Sequence, residues 1–177
     1  MNFTPTNLNG VFASRLNQFC DERGHFINLF RRQDPDFAAA WSNQPISQVN
    51  MSFNIKAGTL RGIHYQAHPF IDSKIVICLE GAIFDVVLDI NKESPTYGKW
   101  ISLTLSDQSS NMIVIPGGYA HGFQTLKNNT KVIYLHSEIW APSHESGYHY
   151  LSSALKIPWP LAVSEISKKD QSLPHFI

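Results

Sequence analysis

The sequence predicts an all-β protein folded as a jelly-roll barrel with a few short helices, and three observations support this fold class. Apolar runs of strand length recur along the chain, glycine and proline turns separate them, and helical patterns are few. Hydrophobic residues make up 43% of the 177 residues and charged residues 16%, which is typical of a globular chain. This length predicts one domain over residues 1–177.

The strongest strand signals lie in the middle of the chain. Residues 74–90, KIVICLEGAIFDVVLDI, form two β-rich runs hinged at Glu80 and Gly81, and both faces of the runs are apolar, as inside a sandwich or barrel. Three more strands are predicted downstream: WISLTL at 100–105, NMIVIPGG at 111–118 and TKVIYLHSEIW at 130–140. A period of two in the last strand places four residues on one face: Val132, Tyr134, His136 and Glu138.

Helical signals occur at two places. The stretch DPDFAAAWS at 34–42 begins with Asp34 as a candidate N-cap and Pro35 at the first helical position. A second short helix is predicted around residues 161–170. Many short strands with so little helix favour a barrel or jelly roll.

The charge balance and the cysteines limit the partners and the compartment. Fourteen basic residues balance fourteen acidic ones, which argues against a nucleic-acid partner but permits a small anionic ligand. Cys20 and Cys78 are far apart and form no C-x-x-C pattern, so we expect two free thiols, with Cys78 buried in a strand. The N-terminal MNFTPTNLNG and the lack of a long apolar run predict a cytoplasmic protein without a signal peptide or a membrane span.

Two motifs have the spacing of a metal-binding cupin barrel but not its ligands. PGGYAH at 116–121 has the form P-x-G-x-x-H, and Gly58 precedes His64 by six residues. In metal-binding cupins the first motif continues with a second histidine and a glutamate, where this chain has Gln66 and Lys74. A protonated lysine repels a divalent cation, and glutamine is a poor ligand beside imidazole. We therefore predict no metal and no cofactor.

Without a metal, four titratable side chains remain as candidates for one pocket: His64, Lys74, His121 and Tyr134. Histidine, with an ordinary pKa of about 6.5, accepts a proton at neutral pH, and tyrosine, with an ordinary pKa of about 10, returns one. A lysine ammonium stabilises an enolate oxygen. This set suits the removal of a proton next to a ketone.

Eight stretches, in order and over nearly the whole chain, carry a family resemblance: ERGHF (22–26), SQVNMSF (47–53), GTLRGIHYQ (58–66), SKIVICLEGAIFDVVLDI (73–90), SPTYGKW (94–100), IPGGYAHGF (115–123), VIYLHSEIWAP (132–142) and SKKD (167–170). The chain resembles the dTDP-4-dehydrorhamnose 3,5-epimerase family. The resemblance implies a cupin-like double-stranded β-helix that forms a homodimer, with an N-terminal segment reaching the partner. It also implies epimerisation, without a cofactor, at C3 and C5 of a 4-keto-6-deoxy nucleotide sugar.

The resemblance assigns catalytic and binding roles. His64 matches the base, Asp170 the carboxylate that pairs with it, and Tyr134 the acid that protonates the opposite face of the sugar. Lys74 matches the cation near the C4 oxygen. The remaining matched positions bind substrate: Arg23, Arg61, His121 and Lys169 near the diphosphate or sugar, and Gln48, Asn50 and Ser52 around the nucleotide.

The departures from the family pattern fall at the nucleotide end. Asn28 occupies the position of a glutamate that accepts a hydrogen bond from the pyrimidine N3–H. An amide donates to cytosine N3 or accepts from thymine, so both bases stay open. Ile139 replaces a tyrosine on which the base stacks, and strand alternation points Trp140 the other way.

Other titratable residues are interpreted as structural. The surface or packing histidines are His25, His68, His136, His144, His149 and His175. Asp85 is a possible second partner for the active-site histidine. An epimerase acting at one centre or on a CDP-linked sugar stays open. Tyr134 disfavours a ketoisomerase and a non-catalytic sugar-binding barrel, and Gln66 with Lys74 disfavours a metal-dependent cupin oxygenase or isomerase.

Overall fold

The structure, a computed structural model, describes residues 2–177 and consists mostly of strands. In chain order, the strands of this part of the chain are β1 (Asn2–Pro5), β2 (Phe12–Arg15), β3 (Gln18–Asp21), β4 (Gly24–Ile27), β5 (Gln48–Asn54), β6 (Thr59–Gln66), β7 (Lys74–Glu80), β8 (Ala82–Asp89), β9 (Trp100–Ser106), β10 (Asn111–Ile115), β11 (Tyr119–Thr125), β12 (Thr130–His136), β13 (Glu145–Gly147) and β14 (Glu165–Ile166). The helices are α1 (Pro35–Ala40) and α2 (Lys168–Gln171).

Two large sheets form the barrel. The first has the order β1-β2-β10-β7-β12-β5, and the second has the order β13-β6-β11-β8-β9, with β14 added in parallel to β6. Apolar side chains from both sheets form one buried cluster, in which Val76 and Val132 of the first sheet join Val87 and Phe123 of the second. The predicted all-β, cupin-like jelly roll is confirmed.

The central strand predictions are confirmed. β7 and β8 flank Gly81, as expected from the hinge in the sequence, and both are buried over most of their length. Cys78 is a buried free thiol in β7, also as predicted, and Cys20 is an exposed free thiol. Burial raises the pKa of the Cys78 thiol to about 12, so this cysteine stays protonated and unreactive.

The predicted end of the strand at 130–140 is wrong. β12 ends at His136. Beyond it the backbone N–H groups of Glu138 and Trp140 bond to side-chain oxygens instead of to a neighbouring strand. Alternation therefore does not determine the direction of the side chains after His136.

The first predicted helix is confirmed. Asp34 is the N-cap of α1, because its Oδ1 accepts the backbone N–H of Phe37 at 3.1 Å, and Pro35 occupies the first turn. The helix buries Phe37 in an aromatic cluster with Phe3, Phe30 and Trp41. No helix among residues 2–177 has both the length and the apolar character needed to cross a membrane.

The helix predicted around 161–170 is shorter than expected. The backbone N–H of Ser164 bonds to the carbonyl of Gly58, and β14 then pairs with β6, so this part of the chain is extended. Only the single turn of α2 follows, with Ser167 as its N-cap. This turn carries Asp170.

A separate hairpin and one sheet edge expose apolar side chains. β3 and β4 pair only with each other, and Phe19 and Phe26 on this hairpin are exposed. The outer face of the edge strand β5 exposes Val49, Met51 and Phe53, which we call the β5 stripe. Exposed apolar side chains on an edge strand mark a surface for association.

Candidate active site

A cavity of about 840 Å³ opens between the two sheets. We call its sides the β6 wall (β6 and β11, with α2) and the β12 wall (β5, β7 and β12). The predicted site residues that line the cavity are His64, Lys74, Tyr134, Asp170, Gln48, Asn50, Ser52, Arg61, His121 and Lys169. The structure therefore brings together the full set of predicted catalytic residues.

On the β6 wall, His64 is held by Asp170. Nε2 of His64 lies 2.7 Å from Oδ1 of Asp170, and Oδ2 of the same carboxylate accepts the backbone N–H of Gly62 at 3.1 Å. Burial raises the pKa of Asp170, but the hydrogen bonds from His64 and Gly62 outweigh burial and hold this pKa below its ordinary value. The ionised carboxylate fixes the proton of His64 on Nε2 and leaves a lone pair on Nδ1.

Gly62 allows the base to lie close to the neighbouring strand. Its φ is +104°, and a Cβ at this position would lie 2.8 Å from Cα of Gly122 on β11. A side chain would therefore force β6 and β11 apart at the point where His64 faces His121 across the register. Since Gly62 also donates to Asp170, the same glycine sets the strand spacing and anchors the carboxylate.

Tyr134 enters the cavity from the β12 wall, next to Ser52 on β5. Its hydroxyl lies 2.9 Å from Oγ of Ser52, and Asn54 donates to that serine at 3.2 Å. Burial raises the pKa of Tyr134 well above its ordinary value, although the Ser52 hydrogen bond opposes the shift. The phenol therefore carries its proton at neutral pH, as an acid in the reaction must.

Lys74, at the start of β7, is the buried cation of the β12 wall. Its side chain is 10% exposed, and Nζ lies 3.7 Å from Oδ2 of Asp72. The same oxygen lies 2.7 Å from Nδ1 of His136. At 3.7 Å the contact between Lys74 and Asp72 is an ion pair without a hydrogen bond.

His121 forms a second pair on the β6 wall. Its Nε2 lies 2.7 Å from Oδ2 of Asp85, and both side chains are almost fully buried. Asp85 is thus bonded to His121 and not to His64, so the hypothesis that it is a second partner of His64 is wrong. Strand β11, which carries His121, lies between the strands of His64 and Asp85 and separates these two residues.

Charged groups also surround the cavity mouth. Nε of Arg61 donates to Oδ1 of Asn54 at 2.7 Å. Glu145 pairs with Nζ of Lys169, and its Oε2 accepts the indole N–H of Trp140 at 2.9 Å. Burial raises the pKa of Glu145, but the bonds from Lys169 and Trp140 hold it below its ordinary value. Glu145 is therefore an ionised link between α2 and the segment after β12.

Two predicted substrate-binding residues lie away from this cavity. Arg23, in the turn between β3 and β4, pairs with Asp21 at 2.6 Å and has a side chain that is 88% exposed. Asn28 follows β4 and is also absent from the cavity lining. Contact of either residue with substrate stays a prediction that depends on a second copy of the chain.

Part of the cavity lining was not predicted as functional from the sequence. His136, interpreted as a surface or packing residue, lines the cavity, so that interpretation is wrong. The period of two in β12 placed it on the face of Tyr134 and was the available signal. Further cavity-lining residues without a predicted role include Asp72, Glu138, Trp140 and Glu145. Among residues 2–177, no group of three or more His, Cys, Asp or Glu side chains is arranged to hold a metal ion.

The fold and the cavity define a class of enzyme. A cupin-like jelly roll presents a carboxylate-bound histidine on one wall and a protonated tyrosine on the other. A base and an acid on opposite sides of one cavity are the parts of an isomerase that moves protons on a bound ligand.

The relatives of the chain identify the family. The family model described as dTDP-4-dehydrorhamnose 3,5-epimerase matches residues 5–177, and the chain belongs to this family of nucleotide-sugar epimerases. The dTDP-4-dehydrorhamnose 3,5-epimerase of Sinorhizobium fredii is 36% identical over 98% of this chain and 89% of its own. A dTDP-4-dehydrorhamnose 3-epimerase of Streptomyces niveus is 34% identical over 97% of this chain and 82% of its own.

A solved structure shows the same fold. The crystal structure of dTDP-4-dehydrorhamnose 3,5-epimerase from Bacillus anthracis, with TDP and PPi bound, matches this chain with a TM-score of 0.94. The two sequences are 32% identical, and the match covers 99% of each chain. The family resemblance seen in the sequence is thereby confirmed.

Proposed function

We propose that the enzyme inverts C3, C5 or both in a 4-keto-6-deoxy sugar carried on a nucleoside diphosphate, by proton transfer through an enolate. One observation carries this proposal: the His64–Asp170 pair and the protonated Tyr134 line opposite walls of the same cavity. Inversion at a carbon requires a base on one face of the ring and an acid on the other. The 4-ketone makes the neighbouring C–H groups acidic enough for this chemistry.

The geometry of these residues supports the following reaction. Nδ1 of His64 removes a proton from a carbon next to the ketone, and the C–H electron pair moves into the ring to form an enolate at the C4 oxygen. Lys74 stabilises the enolate charge. Tyr134 then donates its proton to the same carbon from the opposite face, and the C4 carbonyl re-forms. Asp170 stabilises the imidazolium on His64 until solvent restores both protonation states.

The polar residues of the cavity suit the rest of the substrate. Arg61 and Lys169 provide positive charge for a diphosphate, and a guanidinium binds phosphate oxygens through forked hydrogen bonds. His121 lies on the same wall as the proposed base and is proposed to contact the sugar. Gln48, Asn50 and Ser52, along β5, are proposed to contact the nucleotide.

The substrate assignment has two parts that need measurement. The first part is the number of carbons that the enzyme inverts, because the relatives include both 3,5-epimerases and a 3-epimerase. The second part is the pyrimidine of the nucleotide, because the amide of Asn28 suits cytosine as well as thymine. A dTDP-linked sugar is the proposed substrate, and a CDP-linked sugar is the alternative.

We also propose that the enzyme is a homodimer. The hairpin of β3 and β4 and the β5 stripe expose apolar side chains that association would bury. Arg23 and Asn28 lie on or next to this hairpin, away from the cavity of their own chain, and we propose that they reach the cavity of a second copy. Sedimentation of the wild-type protein should give a dimer, and Phe26→Asp should give a monomer with weaker substrate binding. A monomeric wild type would contradict the proposal.

The cysteines are compatible with the proposed compartment. Cys20 and Cys78 are both free thiols, which fits the reducing cytoplasm that we propose as the location.

Proton exchange tests the function directly. The protein is incubated in D₂O with dTDP- and CDP-linked 4-keto-6-deoxyglucose, and the C3 and C5 protons are followed by NMR. We expect the wild type to remove one or both signals and His64→Ala to remove neither. Loss of both signals identifies a double epimerase. The substrate whose protons exchange faster identifies the pyrimidine that the enzyme prefers. The absence of exchange with folded wild-type protein would contradict the proposal.

A further inference from the structure

A third carboxylate–imidazole pair lies beside Lys74 on the β12 wall and has no part in the proton transfer described above. Asp72 is buried, and its Oδ2 lies 2.7 Å from Nδ1 of His136 and 3.7 Å from Nζ of Lys74. Its Oδ1 accepts the backbone N–H of Glu138 at 3.3 Å. One carboxylate therefore contacts an imidazole, an ammonium and a peptide group.

A chain of hydrogen bonds fixes the tautomer of His136. The backbone N–H of Trp140 donates to Oε1 of Gln48 at 2.9 Å, so the amide nitrogen of Gln48 donates to Oδ1 of Asn50 at 3.0 Å. Nδ2 of Asn50 then faces Nε2 of His136 at 3.5 Å. Because an amide nitrogen only donates, Nε2 is the acceptor and the proton of His136 lies on Nδ1, toward Asp72.

Among residues 2–177, this arrangement leaves the N–H groups of the Lys74 ammonium without a hydrogen-bond partner. The ammonium is close enough to Asp72 for an ion pair but too far for a hydrogen bond. His136 and the peptide group of Glu138 already bond to the two carboxylate oxygens. Asp72 therefore compensates a buried positive charge, which is unfavourable when unpaired, while the N–H groups of Lys74 remain available to a ligand in the cavity.

We propose that Asp72 and His136 are positioning residues for Lys74. His136 holds the carboxylate at a distance where it balances the charge of the ammonium without accepting its hydrogen bonds, so that Lys74 bonds to the C4 oxygen. Without His136, the carboxylate turns toward Lys74 and forms a direct salt bridge, which weakens the stabilisation of the enolate. The inference rests on the proposed function, because the role of Lys74 belongs to that reaction.

Four variants of the whole chain test this assignment. His136→Ala removes the donor to Asp72, whereas His136→Asn keeps an amide donor close to the position of Nδ1. Asp72→Asn removes the negative charge beside Lys74. Its matched control is Glu80→Gln, which removes a carboxylate that pairs with Lys131 at the other, exposed end of the same two strands.

We expect His136→Ala and Asp72→Asn to lower kcat by about 100-fold and to change KM by less than about threefold, because they displace a group that acts on the enolate. His136→Asn should recover kcat to within about tenfold of the wild type. Glu80→Gln should match the wild type. A wild-type kcat for His136→Ala, or equal losses for His136→Ala and His136→Asn, would overturn the assignment.

A second readout needs no substrate. The ¹⁵N–¹H signal of the Lys74 ammonium is recorded in the free protein and identified by its loss in Lys74→Met. We expect His136→Ala to shift this signal, His136→Asn to restore it and Glu80→Gln to leave it in place. If the wild type shows no exchange, the proposed function fails and the Lys74 signal decides the positioning role: an unchanged signal in His136→Ala overturns it, and a shift that His136→Asn reverses supports it.

Discussion

The β6 wall carries two histidine–carboxylate pairs with the same bond length and different surroundings. In the His64–Asp170 and His121–Asp85 pairs alike, Nε2 lies 2.7 Å from a carboxylate oxygen. The side chain of His64 is 26% exposed, whereas that of His121 is 6% exposed and that of Asp85 is inaccessible. The same chemical pair therefore gives an accessible base in one place and a nearly enclosed polar group in the other. Both histidines line the cavity, and the greater exposure of its imidazole distinguishes His64, the proposed base, from His121.

Replacing Asp170 breaks the accessible pair and gives the largest expected effect. Asp170→Asn keeps the size of the side chain but removes the charge that orients His64 and stabilises its imidazolium. We expect kcat for proton exchange to fall by about 10³- to 10⁴-fold. Steady-state kinetics measure the loss, and circular dichroism verifies the fold. Activity near the wild-type value would contradict the assignment of His64 as the base.

Replacing Tyr134 tests the proposed acid of the β12 wall without changing the proposed base of the β6 wall. Tyr134→Phe removes the acid and leaves the His64–Asp170 pair in place. We expect formation of the inverted product to fall by about 10²- to 10⁴-fold, while His64 continues to exchange the substrate proton with solvent. NMR in D₂O distinguishes exchange with retention from inversion. Inversion at the wild-type rate would show that another group is the acid.

Replacing Asp85 tests the enclosed pair. Asp85→Asn places an amide N–H₂ group in a buried site, and Oδ1 of Asp85 already has no hydrogen-bond partner among residues 2–177. We expect a loss of about 1–3 kcal/mol in the free energy of unfolding, measured in urea. The fall in kcat should be smaller than for Asp170→Asn. Equal losses of kcat would show that the two pairs act alike.

Low pH should reduce the contribution of the His64–Asp170 pair to the free energy of unfolding. The pKa of Asp170 is lowered in the folded protein, so its ionised form contributes stability above the unfolded carboxyl pKa of about 3.9, and this stability is lost as the pH falls through the folded value. The wild type should therefore be more stable than Asp170→Asn at pH 7, and the difference should be smaller at about pH 3, below the unfolded carboxyl pKa of about 3.9. Urea titrations at both pH values test this smallest effect. A difference that persists in acid would locate the stabilisation elsewhere.

The central strands were predictable because local sequence determines them. Alternation and the turns at Gly81 and Pro116 were sufficient to predict β7, β8 and β10. The end of β12 at His136 was not predictable, because it depends on side-chain oxygens that accept the next backbone N–H groups from distant parts of the chain.

The site residues divide in the same way. Tyr134 and His136 were predicted on one face of β12, but the partner of His136 is Asp72, 64 residues earlier, and no local pattern joins them. Asp170 lies 106 residues after His64, and only the family resemblance connected the two. Local periodicity therefore predicts which face a residue occupies but not which residue of another element it meets.

The segment that carries Asp170 is fastened to the barrel at two places. Upstream, β14 pairs with β6. Downstream, Phe176 is buried and its ring packs edge-on against Tyr148, with the centroids 5.0 Å apart. The proposed catalytic carboxylate thus belongs to a peripheral strap, and we expect local detachment of this strap to leave the rest of both sheets folded. Enzyme activity should therefore report whether this strap is packed against the barrel. We expect mild denaturant to inactivate the enzyme before the barrel unfolds.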